Sequence, residues 1–468
     1  MKIKNFLRDF GFVISSNLIT LGISTIVILV VPKMIGVKEY GYWQLFLFYT
    51  NYTGLFSLGW LDGIYLRYGG RNYNELNKNL FHSQFWMLIF LQLIFVVTIL
   101  GFGNFLISSE KDIFILNALS LYLLISTAQS FFKFVLQMTN RISEYSKLTI
   151  LSNAIYFVSV ILLLFLNFRN FQVLIAAFIF GNLVAMLYGL FVLKDLFIRK
   201  NNIKFFWSWK ESWNNISVGS QLLIANAAAM LIIGIVRMGI QRGWGVSTFG
   251  KVSLTLSISN LLMIFINAIS LVIFPKLKRI NPNKINELYS VVRDLLMPVV
   301  FIGMIIYFPI SYLMPLWLPK YDSALIYMSV LFPMIAYQSK FEILSNTFMK
   351  VLRMERQLLF VNAITLILSF ILTVISVFLL HNLTLTVFVI IIVMAIRSTI
   401  SELYVKKKLN IKFSFEIFLE TAMVVLFILM TWYLPIFLAL TGYILILLGY
   451  LLIKKNDIFN AVRSVKKL

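Results

Sequence analysis

Long apolar runs alternate with short polar segments along the whole chain. A bilayer core of about 30 Å is crossed by ~20 helical residues, and each run has about that length or more. None of the runs shows the alternating pattern of a membrane β-strand. The pattern therefore predicts an all-α integral membrane protein with fourteen transmembrane helices, near residues 10–32, 41–66, 80–106, 113–136, 148–168, 170–193, 216–240, 247–273, 295–318, 321–348, 357–380, 383–405, 414–433 and 435–453.

Two of the polar segments between these runs match each other. Residues 36–41 read GVKEYG, and residues 245–250, 209 positions later, read GVSTFG. The same offset aligns Gly, Asn and Gln residues over about 140 positions, which indicates a duplicated unit. Because each unit has six spans, the copies run in the same direction, as in transporters whose substrate path lies between parallel repeats. We predict an N-lobe at 1–213, a C-lobe at 214–410, and two extra helices with a cytoplasmic tail at 411–468.

The basic residues predict the orientation. Of 41 Lys and Arg residues, 33 fall on the side that holds both termini, which is therefore assigned to the cytoplasm. The net charge of +23 then reflects topology and attraction to anionic lipids, and nucleic acid is not expected as a partner. The chain has no cysteine, which excludes disulfides and thiolate metal sites.

Polar side chains within the apolar runs are the candidate binding residues, because such groups usually face a bundle interior or a water-filled cavity. On spans one, two, seven and eight they recur at spacings that return to one helix face. For the Asn and Ser residues, the alternative is interhelical hydrogen bonding worth about 0.6–2 kcal/mol. The expected cavity residues are Asn17, Ser24, Gln44, Asn51, Asp62, Asn226, Arg237, Asn260 and Asn267.

Arg237 is the strongest candidate among these residues. A guanidinium inside an apolar run is costly unless it reaches water, the interface or an anion. Its alternative is snorkelling to the nearby outer end of the span. Basic residues at the predicted cytoplasmic ends could meet an anionic headgroup or act as ordinary positive-inside anchors. These entrance candidates are Arg67, Lys133, Lys276 and Lys340.

Motifs for ATP hydrolysis or metal catalysis are absent from the sequence. There is no G-x-x-x-x-G-K-[ST] loop, and the chain's two histidines, His82 and His381, are far apart. No carboxylate arrangement suited to acid–base catalysis is apparent. We therefore predict a secondary transporter, not an enzyme, with no cofactor or metal and with H⁺ or Na⁺ as a possible coupling ion.

Residues 31–71, VPKMIGVKEYGYWQLFLFYTNYTGLFSLGWLDGIYLRYGGR, resemble the signature region of Wzx-type polysaccharide flippases. The shared features are a Gly-x-x-x-Tyr-Gly turn after the first span and a Leu-Gly-x-x-x-Gly end to the second, followed by an Arg. LQMTNRISEYSK at 136–147 and WGVSTFGKVSL at 244–254 are similar to two further family segments. The resemblance extends along essentially the whole chain. It implies a place in the multidrug/oligosaccharidyl-lipid/polysaccharide exporter (MOP) superfamily, with MATE-like lobes.

The resemblance implies a function in capsule or lipopolysaccharide synthesis at the bacterial inner membrane. An undecaprenyl-diphosphate-linked oligosaccharide would move from the cytoplasmic to the outer leaflet by alternating access. The implied partners are this lipid, membrane lipids, and polysaccharide polymerase and chain-length proteins. Relatives use basic cavity residues in spans one, two or seven. Arg237 matches the last of these positions, whereas the first span departs from the pattern because it has no deep Arg.

The sequence leaves two alternatives open. A related exporter could carry a peptidoglycan precursor or an amphipathic drug, although drug antiporters of this kind usually have twelve spans. A polytopic polysaccharide polymerase is the alternative from a different functional class.

Overall fold

The polypeptide folds almost entirely into helices. The structure, a computed structural model, describes the backbone of residues 3–197, 204–279, 285–411 and 415–465, and within these ranges it contains no β-strand. The first helices are α1 (Ile3–Met34), α2 (Val37–Thr50), α3 (Trp60–Tyr68), α4 (Lys78–Leu106), α5 (Glu110–Met138), α6 (Ile142–Phe165), α7 (Phe171–Val192) and α8 (Trp209–Arg279).

The second part of the chain has more short helical pieces. It comprises α9 (Ile285–Gly303), α10 (Tyr307–Trp317), α11 (Asp322–Leu325), α12 (Met328–Leu331), α13 (Met334–Ser339), α14 (Thr347–Val351), α15 (Glu355–Val374), α16 (Leu383–Lys408), α17 (Glu416–Tyr433), α18 (Ile436–Ile453) and α19 (Lys455–Val465). A π-helical turn, Lys340–Asn346, joins α13 to α14.

Ten helical segments among the described residues are long and apolar enough to cross a membrane. They correspond to predicted spans three to six, nine and eleven to fourteen, and to spans seven and eight joined in one segment, Trp209–Leu261. The first predicted span lies in α1, and the second and tenth are divided into short helices. The predicted fold class, an all-α protein with many membrane spans, is confirmed.

Compact packing divides the chain into two units, Met1–Ala227 and Ala228–Leu468. The first unit therefore ends within α8, later than the lobe boundary predicted at 213. In the second unit, α17 and α18 pack with the preceding helices. The Tyr443 hydroxyl, for example, donates a hydrogen bond of 2.8 Å to the backbone carbonyl of Phe301. The two helices without a repeat counterpart thus belong to the core of the second unit.

The predicted second span is not one continuous helix. After α2 the chain forms a 3₁₀ segment, Thr53–Ser57, and then passes through Leu58 and Gly59 with φ of 53° and 83° before α3 begins. Left-handed backbone of this kind interrupts an α-helix and is adopted most readily by glycine. The Leu-Gly pair of the signature motif is therefore the point at which the span changes course.

The two copies of the repeated hexapeptide have different backbones. Gly36 caps α2 with φ −70° and ψ 155°, and the rest of GVKEYG forms the first helical turns. In GVSTFG the helical backbone is interrupted at Gly245, with φ 79° and ψ 179°. Since only glycine adopts this conformation without steric cost, the second copy needs its first glycine and the first copy does not.

Candidate functional site

Arg237 lies beside the second copy of the repeated hexapeptide. Its Nη2 donates a hydrogen bond of 2.9 Å to Ser253 Oγ, and its guanidinium carbon lies 5.1 Å from the ring centroid of Phe249. The side chain is half-buried. The turn at Gly245 folds the two halves of α8 back on each other, which brings these residues together. A charge next to the apolar spans is thereby held by a hydroxyl and an aromatic face.

The same positions in the first unit carry a neutral pair. The 209-residue offset places Tyr40 at Phe249, Gln44 at Ser253 and Ile28 at Arg237. Gln44 Nε2 donates a hydrogen bond of 2.8 Å to the Tyr40 hydroxyl, and both side chains are buried. The two hexapeptide turns therefore share their positions in the repeat but not their charge.

The other cavity candidates differ in exposure. Asn51, Asn226 and Asn260 are exposed, whereas Ser24 and Asp62 are half-buried. The side chains of Asn17, Asn267 and Lys276 lie outside the described part of the chain. Whether any of these residues contacts a substrate stays a prediction.

The expected single polar face on the second span is wrong for Asp62. Gln44 lies in α2, and Asp62 lies in α3 beyond the left-handed residues Leu58 and Gly59. A rotation of 100° per residue applies only within an unbroken helix. The spacing between Asn51 and Asp62 therefore does not place their side chains on one helix face.

A close helix crossing follows this break. A Cβ added to Gly63 would lie 1.9 Å from the carbonyl oxygen of Asn215, and one added to Gly59 would lie 2.5 Å from the backbone nitrogen of Ser220. On the facing helix, a Cβ at Gly219 would lie 1.9 Å from the carbonyl oxygen of Gly59. The signature Leu-Gly-x-x-x-Gly thus packs backbone against backbone with the start of α8. We call these contacts the glycine crossing.

Buried amides and hydroxyls surround the glycine crossing. Trp60 Nε1 donates to Gln84 Oε1 over 2.6 Å, and Gln84 Nε2 donates to Ser208 Oγ over 2.6 Å and to Ser212 Oγ over 3.0 Å. Asn215 Nδ2 also donates to Gln84 Oε1, over 3.2 Å. One glutamine on α4 therefore joins α3 to the segment that begins α8.

Arg67, an entrance candidate, is engaged at the edge of this crossing. Its Nη1 lies 2.6 Å from Glu211 Oε1 and 2.5 Å from Asn215 Oδ1, and the Tyr68 hydroxyl also donates to Glu211. The Arg67 side chain is 28% exposed. In this arrangement its charge is already matched by a carboxylate, so a role at the entrance stays a prediction.

Lys340, another entrance candidate, is buried. Its ammonium lies 2.6 Å from Glu420 and also contacts Glu402. Arg293 lies 3.1 Å from Glu402 and 3.0 Å from Glu420, and Lys406 lies 3.1 Å from Glu402. All five of these side chains are at most 5% exposed. They form the buried charge cluster, in which Lys340 stabilises packing and is not available to an incoming headgroup.

Neighbouring ion pairs extend the buried charge cluster to α19. Arg293 also contacts Glu416, and Lys454 contacts Glu416, Asp457 at 2.9 Å and Asp294 at 3.5 Å. Asp294, Glu416 and Asp457 come close enough together to hold a cation, and the Lys454 ammonium supplies that positive charge. The cluster therefore ties α9, α16, α17 and α19 together.

The hydropathy and charge patterns did not predict this cluster. Glu416 and Glu420 both fall inside the thirteenth predicted apolar run, where two carboxylates need partners. Glu402 and Lys406 are one helical turn apart, which is a second signal for an ion pair. These features could have indicated paired charges, although not the partners on α9.

Lys133 lies in a polar cavity of about 260 Å³ within the first unit. The cavity is bounded by α5, α6, α7 and the 3₁₀ segment Thr53–Ser57, and hydroxyl and amide groups dominate its lining. Lys133 Nζ donates to Gln129 Oε1 over 3.2 Å. Among the described residues that line the cavity, Lys133 is the one charged group and no carboxylate is present.

Comparison with solved structures identifies the fold. A structure described as the lipid II flippase MurJ, inward closed conformation, aligns with a TM-score of 0.67 and 12% identity, covering 97% of this chain and 99% of that chain. An inward-facing multidrug resistance MATE family transporter of the MOP superfamily aligns with a TM-score of 0.65 and 11% identity, covering 84% and 98%. A MOP superfamily transporter from Pyrococcus furiosus gives a TM-score of 0.50 and 11% identity, covering 86% and 95%. The chain therefore shares the fold of these transporters.

No protein-family model matches the sequence, and a search of curated proteins finds no match. At the identities above, the structural likeness concerns the fold and not the substrate.

Proposed function

We propose that this protein is a flippase that moves an undecaprenyl-diphosphate-linked oligosaccharide from the cytoplasmic to the outer leaflet of a bacterial inner membrane by alternating access. The main support is the structural alignment with a lipid II flippase over 97% of the chain. The part of this chain outside the alignment is too short to contain α17 and α18. The similarity thus includes the helices that follow the second repeat, in addition to the two lobes.

Arg237 is the proposed contact for the diphosphate of the lipid. A guanidinium has a planar fork of N–H donors that matches phosphate oxygens in two places at once. Ser253 and Phe249 hold the side chain in a defined position. A positioned donor loses less freedom on binding than a mobile one. Polar side chains such as Asn226 and Asn260, which are exposed, would contact the sugars.

The Arg237 assignment is tested by substitution in the native host. We expect Arg237→Ala to abolish surface polysaccharide while the protein remains in the membrane at normal abundance, and Arg237→Lys to retain part of the activity because it keeps the charge but loses the fork. Arg242→Ala is the matched control, since Arg242 is an exposed arginine near the same turn. Normal polysaccharide in the Arg237→Ala strain would remove Arg237 from the mechanism.

A peptidoglycan precursor is the second candidate substrate, favoured by the same alignment with a lipid II flippase. Purified protein in liposomes would be supplied in parallel with lipid-linked oligosaccharide, lipid II and an amphipathic drug. Faster movement of the oligosaccharide supports the proposal, and faster movement of lipid II supports the second candidate. Turnover of the oligosaccharide into a longer polymer would instead indicate a polymerase.

The remaining parts of the proposal concern the setting of the protein. Both termini lie in the cytoplasm, the coupling ion is H⁺ or Na⁺, and a polysaccharide polymerase and chain-length proteins act on the product. Accessibility of a cysteine introduced at either terminus would test the orientation, because the natural chain has none.

A further inference from the structure

The polar cavity of the first unit contains more hydrogen-bond donors than its own residues satisfy. The Lys133 ammonium has three N–H donors, and one of them is directed to Gln129 Oε1 at 3.2 Å. Because Gln129 Oε1 accepts from the lysine, the amide Nε2 is left as a further donor beside it. Gln129 is 3% exposed, and its Nε2 has no acceptor among the described residues. A buried donor without an acceptor is costly, which points to an acceptor supplied from outside the chain.

The second unit carries the opposite charge at the equivalent place. The 209-residue offset aligns Gln129 with Gln338 and Lys133 with Glu342. Gln338 there presents a buried Oε1 without a donor among the described residues. Both repeats thus have the glutamine. Four residues later the first unit has a lysine and the second a glutamate. The amide atom without a partner among the described residues is Nε2 in the first unit and Oε1 in the second.

Arg397 is a cation that acts on this carboxylate in the second unit. It interacts electrostatically with Glu342, and its Nε and Nη2 donate to Asn362 Oδ1 over 3.0 and 2.9 Å. Asn362 is the repeat counterpart of Asn153, which lines the cavity of the first unit. The second unit therefore contains both a cation and an anion here, whereas the first unit has a cation and open volume.

We propose that the cavity of the first unit binds a small inorganic anion between Lys133 Nζ and Gln129 Nε2. Partial burial disfavours an unpaired ammonium, and Lys133 is half-buried with no carboxylate in the described lining of this cavity. In the second unit Glu342 and Arg397 supply both charges from the protein, whereas in the first unit the bound anion supplies the charge opposite to Lys133. About 260 Å³ accommodates an ion such as chloride or phosphate with water, but not an oligosaccharide. This site is distinct from Arg237 and independent of the proposed flippase activity.

Binding can be measured with the full-length protein in lipid nanodiscs. The protein is prepared in gluconate and titrated separately with chloride, bromide and inorganic phosphate, with calorimetry and thermal unfolding as readouts. We expect saturable binding of at least one of these ions, with a matching rise in the unfolding temperature. Comparison of the halide and phosphate titrations identifies which kind of anion the cavity prefers.

Two substitutions assign the binding to the cavity. Lys133→Met removes the charge, and Gln129→Leu removes the amide donors but keeps the charge. Each is expected to weaken binding at least about tenfold, because hydrogen bonds to charged groups are among the stronger ones. Lys147→Met is the control, since Lys147 is an exposed lysine on the neighbouring helix α6.

Three results would overturn the proposal. They are no saturable binding of any of the three ions, equal binding by the wild type and Lys133→Met, and loss of binding in Lys147→Met as well. If Lys133→Met does not fold, Gln129→Leu and bromide anomalous scattering at the cavity decide the question. None of these measurements depends on transport, so failure of the flippase proposal would leave them interpretable.

Discussion

The glycine crossing of the first unit and the buried charge cluster of the second unit hold helices together by different means. At the crossing, Gly59 and Gly63 let the backbone of α3 approach that of α8. In the cluster, Lys340 and Arg293 bind carboxylates on α16 and α17. Apolar surface alone gives little association between helices in lipid, because lipid tails are equally apolar. Close backbone packing and polar pairing are the two available solutions, and each unit emphasises one.

This difference predicts that the two regions respond differently to substitutions that change volume and to those that change charge. A backbone crossing has no room for added volume but does not depend strongly on charge. A buried charge cluster depends on the balance of its charges, because removal of one partner leaves the other uncompensated in a medium of low dielectric constant. Substitutions that change either volume or charge, one at a time, should therefore separate the two regions.

The largest loss of stability is expected for Lys340→Met. Glu402 and Glu420 would lose a cation that contacts both, and breaking a buried pair costs about 3–5 kcal/mol. The measurement is the free energy of unfolding of purified protein in detergent, followed by tryptophan fluorescence. Lys350→Met is the matched control because Lys350 is exposed, and it should unfold like the wild type.

A double substitution sharpens this prediction. Lys340→Met with Glu420→Gln removes one charge of each sign, and it should recover part of the lost stability. If Lys340→Met alone unfolds like the wild type, the cluster contributes little and the comparison between the units fails.

Much of the fold was predictable because apolar run length is a direct consequence of membrane thickness. The broken second span was not predictable in the same way, because hydropathy does not register the positive φ of Leu58 and Gly59. The resemblance to flippases indicated the glycines of this region but not that they face Asn215 and Ser220.

The candidate site was less predictable than the fold. Arg237 was identifiable as a charge in an apolar run, but its contacts with Ser253 and Phe249 depend on the turn at Gly245. Lys340 was assigned to an entrance because its partners Glu402 and Glu420 are distant in sequence and come close only in the folded unit. Local patterns reveal charges that need partners, whereas tertiary structure decides which partners they find.

An intermediate loss of stability is expected for Gly63→Ala. The added Cβ would fall 1.9 Å from the Asn215 carbonyl oxygen, which is backbone and cannot rotate away. Overpacking of this kind costs about 1–3 kcal/mol, and more if the helices cannot separate. Gly101→Ala on α4 is the control, because nothing lies within 4 Å of the added Cβ there. Equal unfolding free energies for the two variants would show that the crossing is not tightly packed.

The smallest effect on stability is expected for Arg67→Met at the edge of the glycine crossing. Arg67 and Glu211 form a 2.6 Å ion pair, but their side chains are 28% and 22% exposed, so water screens the attraction. Such a pair is worth about 0–1 kcal/mol, well below the buried pairs of the second unit. The same unfolding measurement tests this ranking of the variants, and a loss of stability as large as that of Lys340→Met would contradict it.

Transport assayed in parallel separates two roles for Arg67. A fall in transport with unchanged stability would support contact with an incoming headgroup, whereas parallel changes would mean that Arg67 acts through the packing of α3 on α8.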